Sequence, residues 1–386
     1  MLKWTLVAAL SFTGVAVASQ LHTGELLFKP KGAKSAWGIQ KIRPSAKTNL
    51  SRLKAEMIAS GNYEFVSFNT IDALPTFKRT DGVGDDLDVS NQWHHAKIQT
   101  LKSWNLTNLQ THTLVAVCDS GIMHDHEDLA GQLRDGYNMV DGVSDNSTTT
   151  SHGTFVGGLI AALANDLAGL GTAPNVSILP IRISDAKGTA DMEHIIACIR
   201  YAADQGARVI NVSFTGVNNP AIEEAGHYAS DRGALLVYAA GNAGKYRSRL
   251  NYPDYDHVFV VGASTESDKR WKWYKSKKSW GGSNYGPFID IMAPGADLFS
   301  TTLYDPALPL EKYRTGSGTS FAAPVVSAVA SLLFSARPDL SPLKVMSYLK
   351  RSADRMGSST YYGAGRVNAY KALKLVASEE EFVSSR

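Results

Sequence analysis

From about residue 93 the chain alternates between short apolar runs and helix-compatible stretches, and few folds accept that rhythm. Leu114 to Cys118 reads as a buried strand ending at Asp119, Phe155 to Ala164 as a helix of small apolar residues, and Ser177 to Ile183 as a second strand. Met192 to Gln205 is helical, Arg208 to Ser213 a third strand, Ala221 to Arg232 helical, Ala234 to Ala240 a fourth strand and Val258 to Ala263 a fifth. Strands that are apolar throughout and separated by helices predict βαβ crossovers. The expected fold is α/β, doubly wound, with a mainly parallel β-sheet covered by helices on both faces. In such sheets ligands bind beyond the carboxyl ends of the strands. Asp119, Ser213 and Asn242 stand at those ends, so chemistry is expected there.

The preceding residues have another character. Met1-Leu2-Lys3 is a short basic start, Leu6 to Val17 is largely apolar, and Ala16-Val17-Ala18 has the small-x-small pattern of a cleavage site. This predicts a signal peptide over residues 1–18, too short for a membrane span, which needs about 20 apolar residues. No later stretch reads as long and apolar enough to cross a bilayer. The expected mature protein is exported to the medium or a periplasm, is free of the membrane, and is a monomer. Residues 19–84 form a separate segment. In it Glu25 to Lys29 reads as a strand, Leu50 to Ala59 as an amphipathic helix and Tyr63 to Phe68 as a half-buried strand. A Gly-rich polar stretch, Thr80 to Asp86, then serves as linker. So short a segment makes a poor independent core and is expected to lean on residues 85–386.

Composition excludes some partners. With 44% hydrophobic and 19% charged residues the chain is ordinary globular material, and a net charge of +3 is too mild to argue for nucleic acid. Only Cys118 and Cys198 are present. One in a strand and one in a helix, they read as two buried free thiols, although one bridge is arithmetically possible.

Acyl transfer by a serine needs a hydroxyl nucleophile, a base, an acid that orients the base, and donors for the oxyanion. Each has a candidate. Asp119 closes an apolar strand and precedes Ser120-Gly121, where a carboxylate can hold an imidazole; alone it could equally be a cap or turn former. His152 opens His152-Gly153-Thr154 before a small-residue helix. Ser320 lies in Gly318-Thr319-Ser320-Phe321-Ala322-Ala323-Pro324 at the start of a helix, whose dipole and free amides favour a developing oxyanion. Pro324 is expected in that helix's first turn. Asn242, after Ala239-Ala240-Gly241, offers a side-chain amide to the same oxyanion. The string around Ser320 lacks the Gly-x-Ser-x-Gly elbow of an esterase, and the order Asp, His, Ser differs from that class too.

The strings V-A-V-C-D-S-G-I, H-G-T-F-V-G-G, A-A-G-N-A-G and G-T-S-F-A-A-P resemble the signature blocks of the subtilase family. Residues 201–206 and 365–372 are similar to its thermitase branch. The resemblance spans roughly residues 85–375 and implies a serine endopeptidase of broad specificity acting on proteins and peptides. A catalytically silent peptide-binding relative is the alternative, and it would normally have lost one of the four parts. The resemblance further implies that residues 19–84 are a prosegment that assists folding, inhibits the enzyme from within and is removed by it.

It also implies no cofactor for catalysis but a structural calcium ion, held by Asp85, Asp128 and Asn165 and the carbonyls of Leu163, Leu167 and Gly169. Asp141, Asp145 and Asn146 read as an ordinary surface loop. Substrate is implied to lie as an added strand between Gly188-Thr189-Ala190 and Ser213-Phe214-Thr215-Gly216, with Asn251 near the base of the first side-chain pocket. The chain departs from the family pattern at Thr215, usually glycine; Phe321, commonly methionine; Ser151, usually glycine; and Phe155, often a second histidine. Residues 269–278, basic and aromatic by turns, look like a family-foreign insertion in a surface loop with its rings packed down.

Overall fold

The computed structural model describes residues 21–31, 40–45, 48–71, 89, 91–107, 113–145, 147–148, 150–165, 167–276, 279–304 and 312–384. The expected signal peptide, Asp85 and Asn146 lie outside them.

The segment ahead of the linker is a small α+β unit. Strands β1 (Leu21–Pro30), β2 (Gln40–Ile42) and β3 (Tyr63–Ile71) form an antiparallel sheet in the order β2-β1-β3. Helix α1 (Leu50–Ala59) is started by Asn49, whose side-chain oxygen accepts from the Arg52 amide. Among the unit's described side chains the buried ones are Leu26, Met57 and Val66. The strand, helix and strand expected here are present; β2 was too short to be seen as a pattern.

After the short helices α2 (Trp93–Ile98) and α3 (Thr100–Trp104) comes the main sheet. Its strands are β4 (Leu114–Asp119), β5 (Tyr137–Asn138), β6 (Ser177–Arg182), β7 (Val209–Val212), β8 (Leu235–Ala239), β9 (Val258–Ser264) and, past a hairpin described below, β12 (Ile291–Pro294). They run in the order β12-β9-β8-β7-β4-β6-β5, every neighbouring pair parallel. The fold is therefore the doubly wound α/β architecture that the alternation requires.

Period-two burial divides each central strand between two cores. Val115, Val117, Val209, Val237 and Val261 face a layer with α4 (His152–Ala161) and α7 (Thr319–Ala336). Ala116, Cys118, Ile210, Val212 and Tyr238 face a layer with α5 (Met192–Asp204) and α6 (Pro220–Asp231). Covered on both sides, these strands can be apolar throughout. Helices α8 (Pro342–Arg351), α9 (Ser359–Tyr362) and α10 (Ala369–Ser384) complete the chain.

Three expectations are corrected. Cys118 and Cys198 are not free thiols but form a disulfide, 80 residues apart in sequence. The cause is the same alternation, which turns Cys118 toward the α5 layer where Cys198 sits. Helix α7 does have the length and composition to cross a membrane, yet 89% of it is buried. It is apolar all round because it lies in the core. In the stretch read as a loop, β10 (Lys272–Ser276) and β11 (Ser279–Gly282) pair as antiparallel strands. At their base Arg270 is buried with its guanidinium 4.4 Å from the Tyr285 ring centre, and Trp271 is buried beside it. A second hairpin, β13 (Leu298–Thr301) with β14 (Tyr313–Gly316), precedes α7.

Candidate active site

Asp119 ends β4, fully buried, and its Oδ1 accepts from the Ser120 amide at 2.8 Å and from His152 Nδ1 at 2.8 Å. His152 is the first residue of α4. Gly153 lets that helix begin so close to the strand end. A Cβ at 153 would stand 2.1 Å from the Gly121 carbonyl oxygen and 3.2 Å from Asp119 Oδ1. The Gly153 amide, left over at the helix start, donates to Ser120 Oγ at 3.0 Å. The histidine is thus carried on a helix pressed against the carboxylate that holds it.

Burial acts to lower the His152 pKa, but the charge and hydrogen bond of Asp119 outweigh it, and Arg314 works against them. The net shift is upward from the ordinary histidine value. Arg314, on β14, is exposed and lies with its guanidinium 5.4 Å from the Phe155 ring centre.

Phe155 and Phe321, two of the departures from the family pattern, touch each other. Their ring centres are 4.2 Å apart, and Phe321 lies 5.3 Å from the His152 ring. Phe214 approaches the imidazole from another side, edge-on at 6.2 Å. Gly316 makes room for the pair, since a Cβ there would meet the Phe321 ring at 2.7 Å. Ser151, the third departure, is the residue just ahead of α4 and makes no side-chain cap.

Ser320 is the second residue of α7. Its hydroxyl donates to the Ser213 carbonyl at 3.0 Å, and Ser213 Oγ donates to the Ser320 carbonyl at 2.8 Å. Buried Asn211 donates from Nδ2 to Ser213 Oγ at 2.9 Å, and Ser327 Oγ donates to Asn211 Oδ1 at 2.9 Å. Pro324 lies in the second turn of α7, not the first as expected, so it removes the helical donor that the Ser320 carbonyl would have had. Sequence reasoning missed Asn211 and the Ser213 hydroxyl. The proline four residues beyond Ser320 was the available signal.

Asn242 follows β8. Its Oδ1 accepts from the Thr319 amide at 2.9 Å and the Thr319 hydroxyl at 2.8 Å. With the oxygen so engaged, the Nδ2 group is the end left to donate elsewhere. Ser213, Phe214, Thr215 and Gly216 continue directly from β7, and Tyr238 Oη fixes the run by donating to the Thr215 carbonyl at 2.9 Å. Thr215 is exposed, with room for its side chain. Gly216 has φ +103° and presses on Met192 Cε, where a Cβ would come within 2.5 Å. Gly188, Thr189 and Ala190 form an exposed turn after β6, tied by Asp185 Oδ1, which accepts from the Lys187 and Thr189 amides at 2.9 Å. Ala190 pairs with Ser184 across it.

Beside Asn242 opens a pocket of about 330 Å³ whose lining includes Thr215, Gly216, Ala240, Asn242, Arg247 and Tyr252. Asn251, expected at its base, is exposed and is not among the lining residues; its neighbour Tyr252 is, packed against Phe288 with ring centres 5.0 Å apart.

The residues expected to hold calcium gather in part. Asp128 is buried, its Oδ2 accepts from Tyr313 Oη at 2.9 Å and the Gly169 amide at 3.1 Å, and its Oδ1 is buried with no hydrogen-bond partner. Burial pushes its pKa up, against the hydrogen bonds from Tyr313 and Asn165. The Leu163 amide donates to the Asp128 carbonyl at 2.9 Å. An orphaned buried carboxylate oxygen beside a loop of carbonyls and an amide side chain fits a hard cation. Leu167 is exposed on that loop. Among the described residues no three His, Cys, Asp or Glu side chains cluster as a metal site. Asp141 and Asp145 stay surface-loop residues, bonded to Asn138 and to Ser147.

Residues 110–365 match the Subtilase family. Thermitase of Thermoactinomyces vulgaris is 37% identical over 288 residues, covering 74% of this chain and 96% of that protein. Subtilisin DY of Bacillus licheniformis is 36% identical over 262 residues, covering 67% and 89%. Among solved structures, a protease from Pseudoalteromonas arctica superposes with a TM-score of 0.63 at 27% identity, over 74% of this chain and 97% of that one. With this sheet, this order of motifs and these relatives, the chain belongs to the subtilase family and is a serine endopeptidase.

Proposed function

We propose that Ser320 is the nucleophile, His152 its general base, Asp119 the residue that orients the base, and Asn242 an oxyanion donor. The observation that carries this reading is the 2.8 Å bond from His152 Nδ1 to buried Asp119, made from a helix that faces the start of α7. That bond puts the proton on Nδ1 and leaves Nε2 as the free acceptor. On substrate binding the Ser320 hydroxyl turns from the Ser213 carbonyl toward Nε2, gives up its proton and attacks the scissile carbonyl. The oxyanion then receives Asn242 Nδ2 and the first-turn amide of Ser320, which no helical carbonyl can claim. His152 returns the proton to the leaving amine, and water repeats the sequence to free the acyl-enzyme. An extended peptide pairs through its main chain with residues 188–190 and 213–216, a mode indifferent to most side chains.

The same reading assigns residues 1–18 to a signal peptide, 19–84 to a self-removed inhibitory prosegment and 85–386 to the peptidase. Export is supported by the apolar leader and by the Cys118–Cys198 disulfide, a bond that persists in oxidising compartments. A structural calcium ion would be held by Asp128, Asn165, the carbonyls of Leu163, Leu167 and Gly169, and Asp85. It would neutralise the buried carboxylate and tie the loop after α4 to the body of the protein.

Comparing wild type with Ser320→Ala, both produced without the leader, tests the reading through casein hydrolysis and intact mass. The wild type should digest casein and lose the segment ahead of about residue 85; the variant should do neither. Equal digestion by the two would refute the assignment of Ser320, and equal full-length masses would refute self-maturation.

A further inference from the structure

The pocket beside Asn242 contains a cation that, among the described residues, has no carboxylate to neutralise it. Arg247 lines it, half-buried, and its Nε is fully buried without a hydrogen-bond partner. The guanidinium lies 4.8 Å from the centre of the Tyr252 ring, which also packs against Phe288. The backbone is fixed as well: the Arg247 amide donates to the Tyr285 carbonyl at 2.8 Å. A Cβ on Gly286 would stand 2.1 Å from the Arg247 carbonyl oxygen, so that the chain at 247 is closely hemmed in. Clamped at both ends, this side chain is held for binding rather than left to solvent.

Among the described residues no carboxylate lines the pocket. Asn284, the polar group next to it, is spent, donating to the Ala240 carbonyl at 2.8 Å and accepting from the Lys245 amide at 3.2 Å. Asp254, close in sequence, is paired with Arg249 at 3.5 Å. Among the described residues the guanidinium, half-buried beside a cavity of side-chain size, has no anionic partner.

We infer that Arg247 makes this pocket a receptor for the carboxylate of an acidic side chain, glutamate before aspartate, on the residue that precedes the scissile bond. Main-chain pairing still recognises the peptide at large; the arginine adds one charged preference to it. The inference rests on the reading of Ser320 as nucleophile and Asn242 as oxyanion donor, because these place the scissile carbonyl at the mouth of the pocket. Glutamate suits a cavity of about 330 Å³ better than aspartate, whose shorter stem holds its carboxylate farther from the guanidinium.

The test uses the mature enzyme and a panel of peptide anilides that differ only in the residue before the cleaved bond: Glu, Gln, Asp, Leu and Phe. Glu and Gln have the same shape, so their ratio of kcat/KM isolates the charge. A charge-assisted hydrogen bond at a partly exposed site predicts a ratio of about 10 to 100 in favour of Glu at low salt, falling as salt is added. In Arg247→Gln the ratio should fall to about 1 or below, while Arg247→Lys should keep part of it. A wild-type ratio at or below 1, or a ratio unchanged in Arg247→Gln, would overturn the inference alone, with cleavage after Leu or Phe showing that the peptidase reading stands. No cleavage of any anilide or of casein would overturn both.

Discussion

Ser213 gives the Ser320 carbonyl the hydrogen bond that Pro324 withholds. The proline stands four residues after Ser320 in α7 and has no N–H for the usual helical bond. Ser213 Oγ reaches the orphaned carbonyl at 2.8 Å, itself steadied by Asn211. The Ser320 backbone is therefore referenced to the end of β7, the strand that also begins the proposed substrate edge. In the proposed roles, nucleophile and substrate take their positions from one strand end.

Removing that donor should separate rate from binding. In Ser213→Ala the buried carbonyl loses its partner, at a cost of about 1–3 kcal/mol in stability. We expect kcat to fall by about tenfold with little change in KM, since the lost contact orients the nucleophile. Pro324→Ala restores a helical N–H, so the stability penalty of Ser213→Ala should shrink in that background. A thermal-denaturation double-mutant cycle reads the coupling; strict additivity would show that the two residues do not act on the same carbonyl.

The pH profile should follow His152. Its pKa lies above the ordinary value of about 6.5 in the folded enzyme, and the neutral imidazole is the working form in the proposed mechanism. The acid limb of kcat/KM should therefore fall at higher pH than for an unperturbed histidine. Arg314→Ala removes a charge that opposes protonation, and should move the limb to still higher pH. Asp119→Asn removes the larger, opposite influence; the limb should move down and the rate drop by about 10⁴. A limb unmoved in both variants would mean that another group sets it.

Asn242→Ala should lower kcat by about 10²–10³ with KM nearly unchanged, the mark of a donor used only in the transition state. The same change frees the Thr319 amide and hydroxyl, which both donate to Asn242 Oδ1. A modest loss of thermal stability should accompany it. A substitution that raises KM and spares kcat would assign Asn242 to ground-state binding instead.

The cysteines, misread as free, give another prediction. Cys118 immediately precedes Asp119, and its disulfide joins β4 to α5 across an 80-residue separation. Replacing both by Ala should lower stability by about 2–4 kcal/mol through a freer unfolded chain. Both residues are fully buried, so mild reductant should leave the folded enzyme oxidised and active. Rapid inactivation by reductant without unfolding would contradict this.

Those thiols also mark the boundary of what the chain discloses before it folds. Asp119, His152, Asn242 and Ser320 were legible because each sits in a local string, at a strand end or helix start, that chemistry restricts to a few residue types. The strand alternation disclosed the sheet for a similar reason: period and helix spacing are local. Which strand face looks at which helix is not local, and Cys118 meeting Cys198 depends on it. Arg247 entering the pocket in place of Asn251 depends on how the chain turns after Asn242, where no regular period exists. The Phe155–Phe321 contact was flagged as two separate departures, and only packing shows it to be one. Hairpin β10–β11 was hidden because its lysines and aromatic rings resemble a solvated loop in composition.

Covalent labelling asks directly whether Ser320 carries the nucleophilic oxygen. The mature enzyme would be treated with a fluorophosphonate, digested, and mapped by mass spectrometry, alongside His152→Ala freed of residues 19–84 by an added protease that is then removed. The account predicts one label per chain, on Ser320 Oγ, with labelling at least a hundredfold slower in His152→Ala, in keeping with the loss of a general base of about 10²–10⁴. A label on another residue, or none on an enzyme that still digests casein, would contradict it.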